Sequence, residues 1–271
     1  DVYPEVAVGL GVFSAAGLPA RVLGMLRNLS LRAAALNVAV GERMRALIQP
    51  LSGRAPVQVA HNWAQDMEAS AQPARDNPYR RELGLQDKVV FAYSGNLGRA
   101  HQFDALLAAA KELKDDPRIH FLIVGSGAQA EDLKREVQTQ GMSNWSFLPP
   151  QPREKLNLSL AAADVHLVSL NPLMEGLIVP SKLYGILAAA RPALFLGDPH
   201  GEVARLLREY GCGLTATAGE AGEIKAMMQK LAQEPALRLR MGEQARMAHE
   251  QRHARAHALR HWQALLREVA K

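Results

Sequence analysis

The chain has 271 residues, of which 48% are hydrophobic and 22% charged, a composition typical of one or two folded domains with a buried core. Its single cysteine, Cys212, excludes an intramolecular disulfide and any metal site built on two thiolates, and it favours a reducing, cytoplasmic setting. A net charge of +5 with only 5% aromatic residues argues against a nucleic-acid-binding surface. The longest uncharged stretch, residues 6–20, is too short to predict a membrane-spanning helix.

The first part of the chain, residues 1–63, is predicted to form a partial and mostly helical lobe. The stretch from Leu18 to Leu51 is predicted as mainly helical, and a short strand follows at 57–60. The chain opens on Asp1 without an initiator Met, so we expect it to be a fragment or a trimmed product. Residues 64–84, rich in Ala, Asp, Gln and Pro, are typical of a linker with one helical turn near Tyr79.

Residues 85–245 are predicted to form a doubly wound α/β domain. Short apolar runs alternate there with longer segments of helical period, a pattern typical of a parallel sheet covered by helices. The predicted strands are 89–93, 120–124, 145–148, 165–170, 193–196 and 213–216. The last unit, 246–271, is predicted to be a helix that packs back toward the first lobe.

Residues that directly follow the strands are the candidates for ligand binding, because open α/β sheets bind ligands beyond the carboxyl ends of their strands. After the first of these strands, Gly95, Asn96 and Gly98 form a turn that leads into a helix, and such a turn can hold a phosphate. Arg99 and His101 add positive charges for the same anion. The alternative is a tight strand-to-helix turn without a ligand.

A second candidate segment runs from Glu175 to Pro192. Glu175 lies in a loop, and Pro180 and Ser181 favour a helix that starts directly before Lys182. A lysine in the first turn gains nothing from the helix dipole, whereas a bound phosphate would explain its position. The alternative is a lysine on the solvated surface.

Eight short segments occur in an order and spacing that resemble a known family. They are 1–7, 61–63, 94–98, 124–127, 163–165, 180–182, 201–204 and 241–246. Together they resemble the nucleotide-sugar-binding half of the GT-B glycosyltransferases of family 4 (group 1), especially the colanic-acid and O-antigen subgroup. The family's first lobe begins well before such a Tyr-Pro-Glu segment and carries an acceptor loop, so we expect donor binding rather than full turnover from this chain.

The resemblance implies a retaining transfer of a sugar from a nucleoside-diphosphate donor, which is a substrate and not a cofactor. Glu175 corresponds to the first glutamate of the family's Glu-x7-Glu motif, which contacts the donor sugar. Lys182 and Arg99 would neutralise the leaving diphosphate. The acceptor would be a saccharide or a polyprenol-linked molecule.

The same resemblance places the nucleotide base beside the backbone near Gly125 and Leu148, and Gly127 is a further candidate for substrate binding. The chain contains no Asp-x-Asp sequence, which other sugar transferases use to hold a metal ion on the diphosphate. We therefore expect a reaction that needs no metal.

Some positions depart from the family pattern. Leu183 stands eight residues after Glu175, where the family often has a glutamate for the ribose, and Gly185 stands where the Pro-Ser-Lys pattern usually leads to one. Glu202 is the candidate replacement, and Ala100 occupies the place of a usual lysine. Two other functions stay open: a nucleotide-sugar 2-epimerase, and a nucleotide-sugar-binding module without catalysis.

A zinc-protease pattern occurs near the end of the chain. His249 and His253 form a His-Glu-x-x-His sequence, and His257 and His261 continue it at four-residue spacing. One continuous helix would place all four on a solvent-facing stripe together with arginines. A catalytic zinc needs a dry and supported cleft, so no metal site is predicted.

Six arginines and one acid, Glu42, lie between Arg21 and Arg54, with apolar residues among them. One interpretation is a solvated basic face. The other is a surface that lies on anionic lipid at the inner face of the cytoplasmic membrane, where a polyprenol-linked acceptor would be found.

Overall fold

The computed structural model describes residues 1–64 and 74–270, and residues 1–64 form a small lobe. Its elements are α1 (Glu5–Gly9), α2 (Leu18–Ala33), β1 (Asn37–Ala39), α3 (Glu42–Ile48) and β2 (Val57–Val59). The strands β1 and β2 pair in parallel, and α3 connects them. Residues 65–73 of the predicted linker lie outside the described part of the chain.

The helical prediction from Leu18 to Leu51 is wrong at β1. The backbone of Ala34 is extended (φ −71°, ψ 139°), and this ends α2. Ala39 in β1 is fully buried, and Asn37 pairs with Val57 of β2. A strand of three residues is too short to show a period of two, so tertiary pairing decides its structure.

Residues 89–217 contain a parallel sheet of six strands, which confirms the predicted α/β fold. The strands are β3 (Val89–Asn96), β4 (Ile119–Ser126), β5 (Trp145–Leu148), β6 (Val165–Ser169), β7 (Ala193–Gly197) and β8 (Gly213–Thr217). Their order is β5-β4-β3-β6-β7-β8. The chain winds in one direction from β3 and in the other from β6, so the crevice between the carboxyl ends of β3 and β6 is the expected ligand site.

Helices cover both faces of this sheet. The helices of this part of the chain are α4 (Pro78–Glu82), α5 (Asp104–Glu112), α6 (Ala130–Thr139), α7 (Leu156–Ala161), α8 (Lys182–Ala188), α9 (Glu202–Tyr210), α10 (Ala221–Gln233), α11 (Pro235–Ala248) and α12 (Arg255–Val269). In β7, Leu194 and Leu196 pack toward α5, α6 and α10, whereas Ala193 and Phe195 pack toward α8 and α9. Burial on both faces explains why the strands appear in the sequence as continuous apolar runs.

The side chain of Arg80 anchors α4 to this domain. It is 3% exposed and forms an ion pair with Asp164, and its Nε donates to the Ala162 carbonyl at 2.7 Å. Asp164 also accepts a hydrogen bond from the Val90 backbone N–H at 2.7 Å. Because loss of either partner would leave a buried charge uncompensated, this pair fixes the path of the chain into β3.

The C-terminal segment returns to the first lobe. Between α11 and α12, a π-helical turn spans His249–His253, and the extended Ala254 follows it. Ala254 pairs with Ala64 in a parallel bridge, and the His261 Nε2 lies 3.0 Å from the Val59 carbonyl oxygen. These two contacts place α12 against β2 of the first lobe.

The predicted solvent-facing histidine stripe is wrong for His249 and His253, which are both buried. The π-helical turn and the break at Ala254 remove the four-residue alignment that one α-helix would give. His253 Nε2 lies 3.0 Å from the Tyr210 hydroxyl, and burial lowers the pKa of His253 to about 4. Within residues 1–64 and 74–270, no group of three or more His, Cys, Asp or Glu is arranged to hold a metal ion. In the same residues, no helix has the length and apolarity needed to cross a membrane.

Candidate active site

The carboxyl ends of β3 and β4 meet in two glycine turns. Gly95, Gly125 and Gly127 have φ angles of 126°, 154° and 147°, which side chains with a Cβ rarely adopt. A Cβ on Gly125 would overlap the Gly95 carbonyl, and one on Gly127 would lie 2.6 Å from the Leu97 nitrogen. The Leu97 N–H donates to the Ser126 carbonyl at 2.8 Å. Close backbone packing therefore requires Gly125 and Gly127, and the φ angle favours glycine at Gly95, whether or not a ligand binds.

His101 is half-buried beneath the first turn and does not supply the positive charge expected of it. Its Nδ1 lies 2.5 Å from the Ser169 carbonyl oxygen. The Gln129 side-chain amide donates to the carbonyls of Gly98 and His101 at 2.6 and 3.0 Å. Burial, with a smaller contribution from the Lys182 charge, lowers the pKa of His101 to about 4. Its imidazole is therefore neutral at pH 7.

Lys182, the first residue of α8, lies beside the first glycine turn. Its Nζ is 3.4 Å from the centre of the Tyr93 ring, and a Cβ on Gly95 would be 3.8 Å from it. This amine is buried and has no hydrogen-bond partner in the part of the chain that the structure describes. Burial lowers the pKa of Lys182 to about 7. Because a buried amine without an acceptor is costly, the site is suited to an anionic ligand.

Glu175 lies between β6 and α8, and its carboxylate caps α9. Its Oε1 accepts a hydrogen bond from the Glu202 backbone N–H at 2.8 Å. A Cβ on Gly201, the residue before α9, would lie 2.7 Å from the Glu175 Cδ. Burial, together with the charges of Asp198 and Glu202, raises the pKa of Glu175. A carboxylate can accept about four hydrogen bonds, so this cap leaves capacity for substrate hydroxyls.

The environment of Glu202 contradicts the predicted ribose contact. The side chain is 2% exposed. Its Oε2 accepts from the Arg43 backbone N–H of the first lobe at 3.1 Å, and its Oε1 accepts from the Arg205 guanidinium at 2.6 Å. Both carboxylate oxygens therefore already have protein partners.

The other predicted residues lie at or near the carboxyl edge of the sheet and differ in exposure. Asn96, Arg99 and Ser181 are exposed, and Pro180 is buried. Leu148 is half-buried at the end of β5. The structure thus forms two groups of candidates: the glycine turns with the lysine, and the two glutamates at the start of α9.

Two residues of this region were missed by the sequence analysis. Tyr93 faces the Lys182 amine, but its place in a buried strand indicated only a core residue. Arg43 is 159 positions from Glu202, and no local pattern connects them. Leu183 is fully buried, so a glutamate at this position would lie in the core and not in the crevice.

The chain has a six-stranded parallel sheet with glycine turns at its switch point, and α12 connects this domain to the first lobe. This architecture is the GT-B glycosyltransferase fold. The family model described as "Glycosyl transferases group 1" matches residues 76–248. The chain belongs to this family.

Two curated relatives share parts of the sequence. WbjE of Pseudomonas aeruginosa, named as a probable glycosyltransferase, is 30% identical over 214 residues, which is 79% of this chain and 53% of WbjE. WcaI of Escherichia coli (strain K12), named "Putative colanic acid biosynthesis glycosyl transferase", is 33% identical over 132 residues, which is 48% of this chain and 32% of WcaI. The chain thus matches about half the length of WbjE and a third of WcaI.

Solved structures show the shared fold. Anabaena HepE in complex with UDP-glucose has a TM-score of 0.78 at 19% identity, over 95% of this chain and 69% of HepE. The sucrose-phosphate synthase of Thermosynechococcus elongatus has a TM-score of 0.77 at 18% identity, over 97% of this chain and 66% of the synthase.

Proposed function

We propose that this chain binds a nucleoside-diphosphate sugar, and that the intact protein transfers the sugar with retention of configuration to a saccharide or polyprenol-linked acceptor. Membership of the group 1 family supports sugar transfer. The UDP-glucose complex of HepE supports a nucleotide-sugar donor, and the name of WcaI supports a polysaccharide product.

The observation that carries the proposal is the buried Lys182 amine beside Gly95. A donor diphosphate at the switch point would supply the negative charge that this amine needs. As the bond between sugar and diphosphate breaks, negative charge grows on the leaving oxygen, so the attraction of Lys182 is stronger in the transition state than in the bound donor. The exposed Arg99 is a second candidate for the same diphosphate.

Glu175 is proposed to contact the donor sugar. Its carboxylate is held by the Glu202 backbone N–H, which fixes its orientation before the donor binds. Its remaining acceptor positions would bind sugar hydroxyls, and its negative charge would stabilise the positive charge that develops near the anomeric carbon.

We also propose that transfer needs no divalent metal. The sequence contains no Asp-x-Asp pair, and Lys182 would provide positive charge at the diphosphate directly.

The test is thermal unfolding of the chain with UDP, GDP, ADP, CDP and dTDP, each with and without EDTA. A ligand at one hundred times its Kd adds about 2.7 kcal/mol, which raises the midpoint by several degrees. We expect one nucleotide to raise the midpoint regardless of EDTA, and Lys182→Met to lose that shift. If no nucleotide raises the midpoint, the chain does not hold the donor site.

Product analysis separates the three functions. Transfer by the intact protein requires an acceptor and yields a glycoside. A 2-epimerase changes the nucleotide sugar without any acceptor, and a binding module leaves it unchanged.

A further inference from the structure

Glycine has no side chain to cap a helix, and two helices that follow a glycine receive a carboxylate from another segment instead. Gly201 precedes α9, and Glu175 accepts the hydrogen bond from the first N–H of that helix. Gly41 precedes α3 in the first lobe, and Glu202 accepts the hydrogen bond from the Arg43 N–H at 3.1 Å. The second cap therefore crosses from the α/β domain to the first lobe.

The Glu202 carboxylate is in close contact with the start of α3 on one side and with Arg205 of α9 on the other. A Cβ on Gly41 would lie 2.8 Å from the Glu202 Cδ, so only glycine allows the carboxylate to reach the start of α3. The Arg43 guanidinium in turn donates to the His200 carbonyl, in the loop that leads into α9. The Arg205 guanidinium holds the second oxygen of Glu202 at 2.6 Å. Arg43 of α3 thus donates two hydrogen bonds to the start of α9, one from its backbone N–H and one from its side chain.

We propose that Glu202 is a positioning residue that fixes α3, and with it the first lobe, over the donor crevice. This inference deepens the proposed function and rests on it. Glu175 touches the Glu202 N–H, and the Glu202 carboxylate touches α3, so the candidate sugar contact and the first lobe meet at one residue. Correct placement of the lobe affects the rate of transfer, whereas the diphosphate contacts of the donor lie at Lys182 and the glycine turns.

Four variants of the intact protein test this role. They are Glu202→Gln, Gly41→Ala, the double variant, and Gly222→Ala as a control. Gly41→Ala disturbs the contact from the first lobe, so it acts independently of any change within the α/β domain. Gly222 lies in α10, and an added Cβ there meets no atom within 4 Å, so this control adds the same methyl group without a clash.

Steady-state rates with donor and acceptor are the first readout. We expect Glu202→Gln and Gly41→Ala each to lower kcat by about tenfold while the donor KM changes by less than about twofold. In Glu202→Gln the side chain has one oxygen for two donors; the charged Arg205 guanidinium keeps it, and the amide NH2 faces the Arg43 N–H. Both changes therefore break the same contact, so the double variant should be no slower than the slower single variant. Gly222→Ala should match the unchanged protein.

Hydrogen–deuterium exchange of residues 41–48 in the 271-residue chain is the second readout, and it requires no turnover. We expect exchange at the start of α3 to become about tenfold faster in both single variants and to stay unchanged in the Gly222→Ala control. Unchanged exchange in both single variants overturns the proposed contact even if the protein transfers no sugar.

Three kinetic results would overturn the inference. A raised donor KM with unchanged kcat in Glu202→Gln would make Glu202 a donor ligand. Additive losses in the double variant would mean that the two residues act separately. Normal kcat in both single variants, with faster exchange, would show that the contact does not affect transfer. If neither the unchanged protein nor any variant transfers sugar, the proposed function fails. The hydrogen–deuterium exchange result then decides by itself whether the contact between Glu202 and α3 exists.

Discussion

Replacement of Lys182 by methionine is expected to stabilise the chain in the absence of donor. Methionine keeps much of the side-chain length and removes the charge. Burial moves the pKa of Lys182 from 10.5 to about 7, and each pH unit corresponds to about 1.4 kcal/mol. Since the folded pKa is below the unfolded one, the cost is complete below pH 7 and fades as the pH rises toward 10.5. The charge therefore costs about 4 kcal/mol at pH 7 and about 2 kcal/mol at pH 9.

The lost contact with the Tyr93 ring offsets about 1–2 kcal/mol of this gain. We therefore expect Lys182→Met to raise the free energy of unfolding by about 2–3 kcal/mol at pH 7. At pH 9 the amine is neutral in the folded chain and makes no cation–π contact, so a gain of about 2 kcal/mol remains, and it fades toward pH 10.5. At pH 7 the melting midpoint should rise by about 5 °C or more. Urea and thermal unfolding at both pH values measure this, with Lys134→Met, an exposed lysine in α6, as a control expected to stay within about 0.5 kcal/mol.

The same pKa predicts how donor binding depends on pH. With a pKa of about 7, about nine-tenths of the Lys182 amine is protonated at pH 6 and about one-tenth at pH 8. Affinity for the nucleoside-diphosphate sugar should therefore fall about tenfold between these pH values, as measured by titration calorimetry. A Lys182→Met variant that is less stable than the unchanged chain at pH 7, or donor affinity that is the same at pH 6 and 8, would refute this reasoning.

Glu175→Gln keeps an acceptor for the Glu202 N–H, so the melting midpoint should stay near its original value. Transfer by the intact protein should fall on the order of 10²-fold, because the negative charge near the anomeric carbon is lost. Equal transfer rates would exclude Glu175 from the reaction. Burial lowers the pKa of four histidines to about 4. Their neutral form therefore costs no free energy of unfolding above pH 6.5, and the free energy of unfolding falls from there toward pH 4, by at most about 5 kcal/mol per pH unit. These histidines are His101, His120, His166 and His253, and a urea midpoint that does not change from pH 7 to pH 5 would contradict this. Four of the six arginines between 21 and 54 contact protein atoms. We therefore expect only a small fraction of the chain to sediment with anionic liposomes, and only at low salt. A chain that shows no salt-sensitive binding would contradict the membrane hypothesis.

The sheet could be predicted from the sequence because its central strands are buried on both faces. Val165–Ser169 and Ala193–Gly197 are buried throughout, and such strands appear as unbroken apolar runs between turn residues. The glycine turns were also predicted, since a Cβ on Gly125 would overlap the Gly95 carbonyl and Gly95 itself has a φ of 126°. In both cases the signal lies within a few neighbouring residues, as an apolar run or as a glycine turn directly after one.

The rest could not be predicted, because its causes lie far away in the sequence. Glu202 looked like a ribose ligand from its place after a strand, but Arg43, from the other lobe, binds its carboxylate. The histidine pattern looked like one helical stripe, but Ala254 pairs with Ala64 and the helix breaks there. Pairings of this kind leave no periodic signal.

The first three residues of α8 lie in three different surroundings. Lys182 meets the Tyr93 ring at the crevice, Leu183 is fully buried in the core, and the Tyr184 ring lies 5.0 Å from the His253 ring of the C-terminal segment. The helix is therefore held by the core and by the C-terminal segment, while its first residue meets the crevice. A positioned charge lowers a barrier most when it does not have to reorganise during the reaction. The packing of Leu183 and Tyr184 thus offsets the cost of burying Lys182, and it keeps the amine in place before the donor arrives.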